Sequence, residues 1–297
     1  MSVYMLSDYL KDIYGKKLHK LILSSGMTCP NRDGKCGDKG CIFCSSSGSG
    51  EFAQDAKLTI AEQIEKAKKQ VPISDEYIAY FQSFTNTYAS AEKIEALYTP
   101  VVLRGDIAVL SIATRPDCLS AEIIEVLQRL NKIKPVWIEL GLQTIHENTA
   151  EFIRRGYTLN VYTDAVQKLR NAGITVITHL ILGLPGESKE DMIKSAAYAG
   201  KMSDGIKFHS LYVSKNTDIA DLYNDNKIAL LSKEDYIDIL CECIRVTPST
   251  VVIHRLTGDP DKSSLVAPLW SQNKVKLLSD INNAFYDRNI VQGEKST

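Results

Sequence analysis

The chain has 297 residues; 35 Lys and Arg against 36 Asp and Glu give a net charge of −1, and 44% of the chain is hydrophobic. That apolar fraction suits a sizeable core and excludes a disordered, collagen-like or coiled-coil chain. The balanced charge argues against strong non-specific nucleic-acid binding by the molecule as a whole. Residues 1–17 mix charge with apolar residues at helical spacing and lack the apolar core of a signal peptide. Short β-rich runs then alternate with amphipathic stretches. Residues 20–24, 77–81, 107–112, 136–142, 174–182 and 206–213 read as strands. Residues 58–71, 91–98, 120–131, 146–155, 161–171 and 188–201 read as helices, with Ser120 as an N-cap and Gly173 at a helix end. Six βα units with near-continuous apolar strands predict a parallel sheet buried on both faces, closed into a partial (β/α)6 TIM-like barrel. After about residue 215 the alternation fades. Residues 232–245 and 272–287 read as helical and 251–256 as extended. This predicts a barrel domain over 1–215 and a small α/β extension over 216–297 that is substrate-facing. The only low-complexity tract is 45–50, and the end, 293–297, reads as frayed. No apolar run reaches the roughly 18 residues needed to span a bilayer, so no membrane role is expected.

Of seven cysteines, Cys29, Cys36, Cys41 and Cys44 fall within sixteen residues, in a glycine-rich loop after the first strand. Without a secretory signal, reduced thiols in the cytoplasm are the expectation, so the cluster reads as metal-binding or catalytic. Loops at the C-terminal ends of parallel strands form the binding face. Three readings compete. A structural zinc site would take all four thiols, but it usually uses two C-x-x-C pairs and only Cys41 and Cys44 form one. A thioredoxin-like pair would use Cys41 and Cys44 alone. An iron–sulfur cluster on Cys29, Cys41 and Cys44 would leave one iron open, as a catalytic centre needs. Cys241 and Cys243, two apart on a helix, do not share a face and read as buried structural residues.

Cys29-Pro-Asn-Arg-Asp-Gly … Cys41-Ile-Phe-Cys44, heading six βα units, resembles the radical S-adenosylmethionine (SAM) superfamily. The likeness is greatest to its YhcC/YtqA group, also called MnmL, related to the Elongator catalytic subunit and to oxygen-independent coproporphyrinogen oxidase. It covers nearly the whole chain. It implies Cys29, Cys41 and Cys44 as ligands of a [4Fe–4S] cluster, SAM as cofactor, and Phe43 beside the adenine. Cys36 departs from the family pattern and reads as a bystander. Gln82, Ser83, Thr85 and Asn86 stand where relatives carry a glycine-rich SAM-binding motif; they also suit a helix cap. Ser111, Arg115 and Asp117 face the SAM ribose or the substrate, or form a turn. Glu139 lies inside an apolar run, where a carboxylate needs a partner or a cation. The resemblance assigns Glu139, Gly141 and Gln143 to a stretch that contacts the ribose, Arg155 to the SAM carboxylate, and Gly183 to the adenine. His179 serves substrate or core. Lys207 and His209 share one face of their strand and suit an anionic substrate, with Tyr212 on the other face. Arg255 belongs to a polar segment, 254–259, that resembles a recurring family feature.

The resemblance implies a tRNA-modifying enzyme that converts wobble 5-carboxymethylaminomethyluridine to 5-aminomethyluridine. Hydrogen abstraction beside the carboxylate, oxidation to an imine and hydrolysis would release a two-carbon unit, with Lys207, His209 and Arg255 anchoring the carboxylate. An electron donor such as flavodoxin or ferredoxin is implied. Lys16, Lys17, Lys20, Arg32, Lys35 and Lys39, with Lys274 and Lys276, are candidate RNA contacts near the mouth. The alternatives are a radical SAM enzyme on another substrate and a non-enzymatic four-cysteine zinc module.

Overall fold

The computed structural model describes residues 3–48 and 50–296. Met1, Ser2, Ser49 and Thr297 lie outside the described residues, and with them parts of the 1–17 stretch, the 45–50 tract and the frayed end read from the sequence. Seven parallel strands form one sheet in the order β1 (His19–Leu23), β2 (Tyr77–Phe81), β3 (Ile107–Thr114), β4 (Val136–Gln143), β5 (Thr175–Leu182), β6 (Gly205–Ser210) and β8 (Val252–Arg255). The sheet curls into a partial barrel with helices outside. Every residue of β2 and β3 is buried, as expected of strands covered on both faces.

The crossover helices are α2 (Ile60–Lys68), α3 (Ala91–Val102), α4 (Ala121–Asn131), α5 (Glu147–Phe152) with α6 (Leu159–Asn171), and α7 (Lys189–Met202). Thr59, Ser90, Ser120 and Ser188 each cap one of these helices by accepting from the backbone N–H three residues on. Each such cap stabilises its helix by about 1 kcal/mol. The predicted and observed elements agree closely through β6.

They part at the end of β6. The run read as one strand over 206–213 stops at Ser210, and Val213–Ser214 forms β7 of a separate antiparallel ribbon with β9 (Leu265–Ala267). Period-two alternation therefore does not reach Tyr212. The helix α8 (Asp218–Asn224) follows β7. The C-terminal segment supplies α9 (Lys233–Val246) and α10 (Lys274–Asp287), and its extended run is β8, which pairs in parallel with β6. It thus adds a wall to the barrel.

α1 (Leu6–Tyr14) plugs the other end. Its Leu10 packs with Leu18, Ile78, Val109, Trp137 and Ile177 in an apolar cluster at the N-terminal ends of the strands. The interior is therefore sealed below and open above, where the strand-end loops gather.

Candidate functional site

Above the C-terminal strand ends lies a cavity of about 1370 Å³, counting the part open to solvent. Cys29, Cys41, Phe43 and Cys44 line one side of it. The cysteine loop keeps this form through ties to distant segments. Asn31, buried, donates from Nδ2 to the carbonyl oxygens of Arg154 (2.7 Å) and Arg155 (3.3 Å), and touches Cys41 Sγ at 3.5 Å. Arg32 donates to the carbonyls of Cys44 (2.9 Å) and Ser45 (2.6 Å). Ile42 exchanges backbone bonds with Ile153 and Ile219 and sits in an apolar cluster beneath the loop. Two glycines permit these approaches. A Cβ at Gly156 (φ +81°) would come within 2.5 Å of Asn31 Oδ1, and one at Gly48 (φ +64°) within 2.3 Å of the Phe84 ring.

The three cavity thiols have the chemistry of a soft-metal donor set with one position left over. Burial and the neighbouring Cys44 push the Cys41 thiol up to about 12, so it stays protonated until a bound cation draws the proton off. Cys36 is exposed and lines a separate groove with Asp38, Lys39 and Arg154. Among the described residues no three of His, Cys, Asp and Glu converge on a single metal-ion position. Thiolates are soft ligands that suit zinc or an iron–sulfur cluster, and Cys29, Cys41 and Cys44 are the thiols that line the cavity, without Cys36. Thr85, 1% exposed on the same wall, has a hydroxyl with no protein partner among the described residues. It is a polar group left for a ligand.

Beside the thiols, Gln82, Arg115, Gln143, Arg155 and Tyr157 line the cavity. Arg115 holds Asp117 through two bonds of 2.9 and 2.7 Å and donates to the Arg155 carbonyl (2.9 Å). Tyr157 stacks between the guanidinium groups of Arg115 and Arg155, at 4.8 and 4.9 Å, and donates its hydroxyl to the Gly141 carbonyl. Arg155 spends four of its five N–H donors on the carbonyls of Leu142, Thr144 and Tyr157 and on Glu147. In this form it braces the loop after β4, with little left for an external carboxylate.

Six other sequence candidates do not reach the cavity wall, among them Ser83, which is buried. Asn86 is wholly buried and ties Ser25, Phe81 and Ala113 together. Ser111 donates to Glu139 (2.8 Å), and Asp117 serves Arg115. Gly183 (φ +93°) turns the chain under Leu231. Lys207 lies one layer behind the wall. Tyr212, expected to face away, lines the cavity because it stands beyond the end of β6.

The floor is a polar cluster around Glu139. Its carboxylate accepts from Ser111, from His179 Nε2 (2.7 Å) and from Lys207, and Lys20 approaches to 3.9 Å. Lys207 also donates to the Tyr80 hydroxyl (3.1 Å). Burial alone would raise Glu139, but Lys207, Lys20 and His179 overcome it and hold the carboxyl well below the usual range. Burial and Lys207 pull His179 down to about 4, leaving it a neutral donor to Glu139. Lys16 and Lys17, expected at the mouth, stand instead at the opposite end: they precede β1, and Lys16 pairs with Glu76, just before β2 (3.0 Å). Lys20 points into the barrel. Sequence reading overlooked Tyr80, Tyr157, Asn31 and this use of Lys20. The signal for Tyr157 was the Arg-Arg-Gly-Tyr run; for Lys20 it was a lysine inside an apolar strand.

A family model described as the radical SAM superfamily matches residues 29–199, and one described as the radical SAM C-terminal domain matches 203–287. An uncharacterized protein of Bacillus subtilis, YtqA, is 39% identical over 295 residues, covering 98% of this chain and 92% of that protein. Protein YhcC of Escherichia coli is 36% identical over 274 residues, covering 92% and 88%. A tRNA uridine(34) acetyltransferase of Methanocaldococcus jannaschii is 28% identical over 174 residues, 57% of this chain and 31% of that protein. The solved archaeal Elp3 of Methanocaldococcus infernus superposes with a TM-score of 0.63 at 19% identity, over 78% of this chain and 58% of that one, and shares its fold. Among the described residues no helix is long and apolar enough to cross a membrane.

Proposed function

Because this chain belongs to the radical SAM superfamily, alongside YtqA and YhcC, we propose that it modifies the wobble uridine of tRNA, converting 5-carboxymethylaminomethyluridine to 5-aminomethyluridine. The observation that carries the reading is the shared cavity: three cysteine thiols on one wall and His179, His209 and Arg255 at the floor line the same space. Uridine 34 as the target is supported by the partial likeness to a tRNA uridine(34) acetyltransferase.

Cys29, Cys41 and Cys44 would hold three irons of a [4Fe–4S] cluster and leave the fourth for SAM; together the two groups supply a hydrogen-abstracting radical. Phe43, Gln82, Thr85, Arg115 and Gln143 are the residues placed to hold SAM against that corner. Arg155 and Tyr157 fix the wall behind it, and Asn31 and Arg32 hold the cysteine loop in register. The plug of α1 closes the bottom of the barrel, so bulk water reaches the reacting carbon only from the mouth. A substrate entering there brings its 5-substituent down towards Glu139, His179 and His209. The 1–215 and 216–297 division is best drawn as a functional one: the second part supplies Arg255 and Asp259 to the substrate end of the cavity. A low-potential flavodoxin or ferredoxin would dock near the exposed side of the cysteine loop. These assignments fit a cytoplasmic enzyme.

Purification without air and an iron and sulfide count test the centre. The expected result is a brown protein with about four irons, lost on Cys41→Ala and kept on Cys36→Ala. Incubation with undermodified tRNA, SAM and a reductant should yield 5′-deoxyadenosine together with 5-aminomethyluridine. One zinc that requires all four cysteines would overturn the radical reading. 5′-Deoxyadenosine formed without any change at uridine 34 would overturn only the tRNA assignment.

A further inference from the structure

The floor gathers three basic groups besides its histidines, Lys20, Lys207 and Arg255, and Arg255 is the least engaged of them. Register sets His179, Lys207 and Arg255 side by side on β5, β6 and β8, in one layer of the barrel. His209 stands one layer nearer the mouth. Lys20 reaches the same cluster from β1. Against the three cations stand Glu139, already bonded to Ser111, His179 and Lys207, and Asp259, which is 3.9 Å from Arg255 but only 2.6 Å from Lys274. Glu51, the remaining carboxylate on the wall, is bonded to Ser45 (2.6 Å). Two further features point to a missing anion. Among the described residues the Arg255 guanidinium, which lines the cavity, has only the 3.9 Å approach of Asp259. The Nε2 atom of His209 is buried in the same wall with no partner among the described residues. A buried polar atom without a bond is costly, and a guanidinium whose only carboxylate stands at 3.9 Å has N–H donors to spare.

We propose that Arg255 and His209, with Lys207 and Lys20 behind them, form a subsite for a carboxylate carried by the substrate's reacting substituent. This rests on the uridine reading for the rest of the substrate, but not for the anion itself. Arg255 supplies the planar fork that grips a carboxylate through two parallel bonds, and neutral His209 supplies a single N–H. Lys207 and Lys20 lie behind them; burial pulls both below the usual lysine range, and Lys207 is spent on Glu139, so Arg255 carries the charge that meets the carboxylate. The layer lies below the thiol wall, so a carboxylate seated there leaves its neighbouring methylene on the side facing the cysteines. Such an arrangement selects substituents by their terminal charge.

The test is equilibrium binding to the full chain as purified, with no reductant. The probes are the nucleoside 5-carboxymethylaminomethyluridine and its carboxamide, which has the same shape without the charge. The carboxylate should bind about tenfold or more tightly than the amide, the effect of one charge-assisted fork. Arg255→Met should erase that preference with its melting temperature little changed, and Arg255→Lys should restore part of it. Equal affinities for the two probes, or no binding of either at millimolar concentration, overturn the subsite. Competition by N-methylglycine, which has the carboxylate without the uridine, should occur; inorganic phosphate displacing the probe equally well would reassign the wall to phosphate and also overturn the proposal. Iron content, measured separately, reports on the cluster, and a carboxylate preference that survives while undermodified tRNA stays unchanged under reducing conditions would leave the subsite standing while the uridine reading falls.

Discussion

Replacing Glu139 by Gln keeps the shape of the floor and removes its central negative charge. The amide can turn its oxygen to Lys207 and His179 and its NH2 to the Ser111 hydroxyl, so hydrogen bonds survive and charge alone is lost. At 3.9 Å and an effective dielectric constant of about 20, the Lys20–Glu139 attraction is about 4 kcal/mol, and Lys207 is closer still. The full loss is not realised, because a lysine can shed its proton. At pH 7, neutralising a lysine of ordinary pKa about 10.4 costs about 5 kcal/mol, which caps the effect; broken buried pairs cost about 3–5 kcal/mol. At pH 9 the same cap falls to about 2 kcal/mol. In the variant the folded lysine binds its proton less tightly than the unfolded one, so stability is lost as pH falls. Urea unfolding should therefore show Glu139→Gln destabilised by about 3–5 kcal/mol at pH 7 and by about 2 at pH 9. Adding Lys207→Met should recover part of the loss, because it removes one of the unpaired cations. A variant as stable as the parent at pH 7, or equally weakened at both pH values, would refute the claim that Glu139 neutralises two buried lysines.

Asn31→Ala removes the bond to the Arg154 carbonyl and one of two to Arg155, and should cost about 2–3 kcal/mol in urea unfolding. It should also lower iron retained after anaerobic reconstitution, and Asn31→Asp should do worse, since it turns a carboxylate oxygen towards those carbonyls. Full iron content in both would remove Asn31 as the brace of the cysteine loop. Acid should destabilise the fold before most carboxylates titrate. His179 falls from 6.5 to about 4, a difference of about 3 kcal/mol, and burial holds His209 and His254 low as well. The unfolded chain takes up these protons first, so stability is complete above pH 6.5 and drains away down to pH 4. Urea midpoints between pH 7 and 4.5 should show this, with a shallower slope in His179→Gln; an unchanged slope would mean that His179 is not the neutral donor.

The barrel was legible in the sequence because four crossover helices begin on a capping Ser or Thr and the inner strands β2 and β3 are apolar at nearly every position, so local and global signals agree. The two places where reading failed have one cause. Past Ser210 the chain leaves the sheet, and only contact with a segment some fifty residues later, at Ala267, decides that Val213 pairs elsewhere. Likewise Lys16, Lys17 and Lys20 look like one basic run, yet they are divided between the outside and the inside of the barrel, because position along a strand sets depth and alternation sets direction. The cysteine loop stood out in the sequence because its four thiols lie within sixteen residues, though spacing alone left three readings open. Its form was not, because Asn31 reaches 123 residues along the chain to Arg154. The floor illustrates the same limit: Lys20, Tyr80, Ser111, Glu139, His179, Lys207 and Arg255 come one from each of the seven strands of the barrel sheet. None is unusual in its own segment except as a polar residue in an apolar run. What unites them is barrel closure, which turns scattered exceptions to the core pattern into one charged chamber. A buried polar residue on a parallel strand is thus better read with its counterparts on every other strand than with its neighbours in sequence, as Arg255 is beside Lys207 and His179.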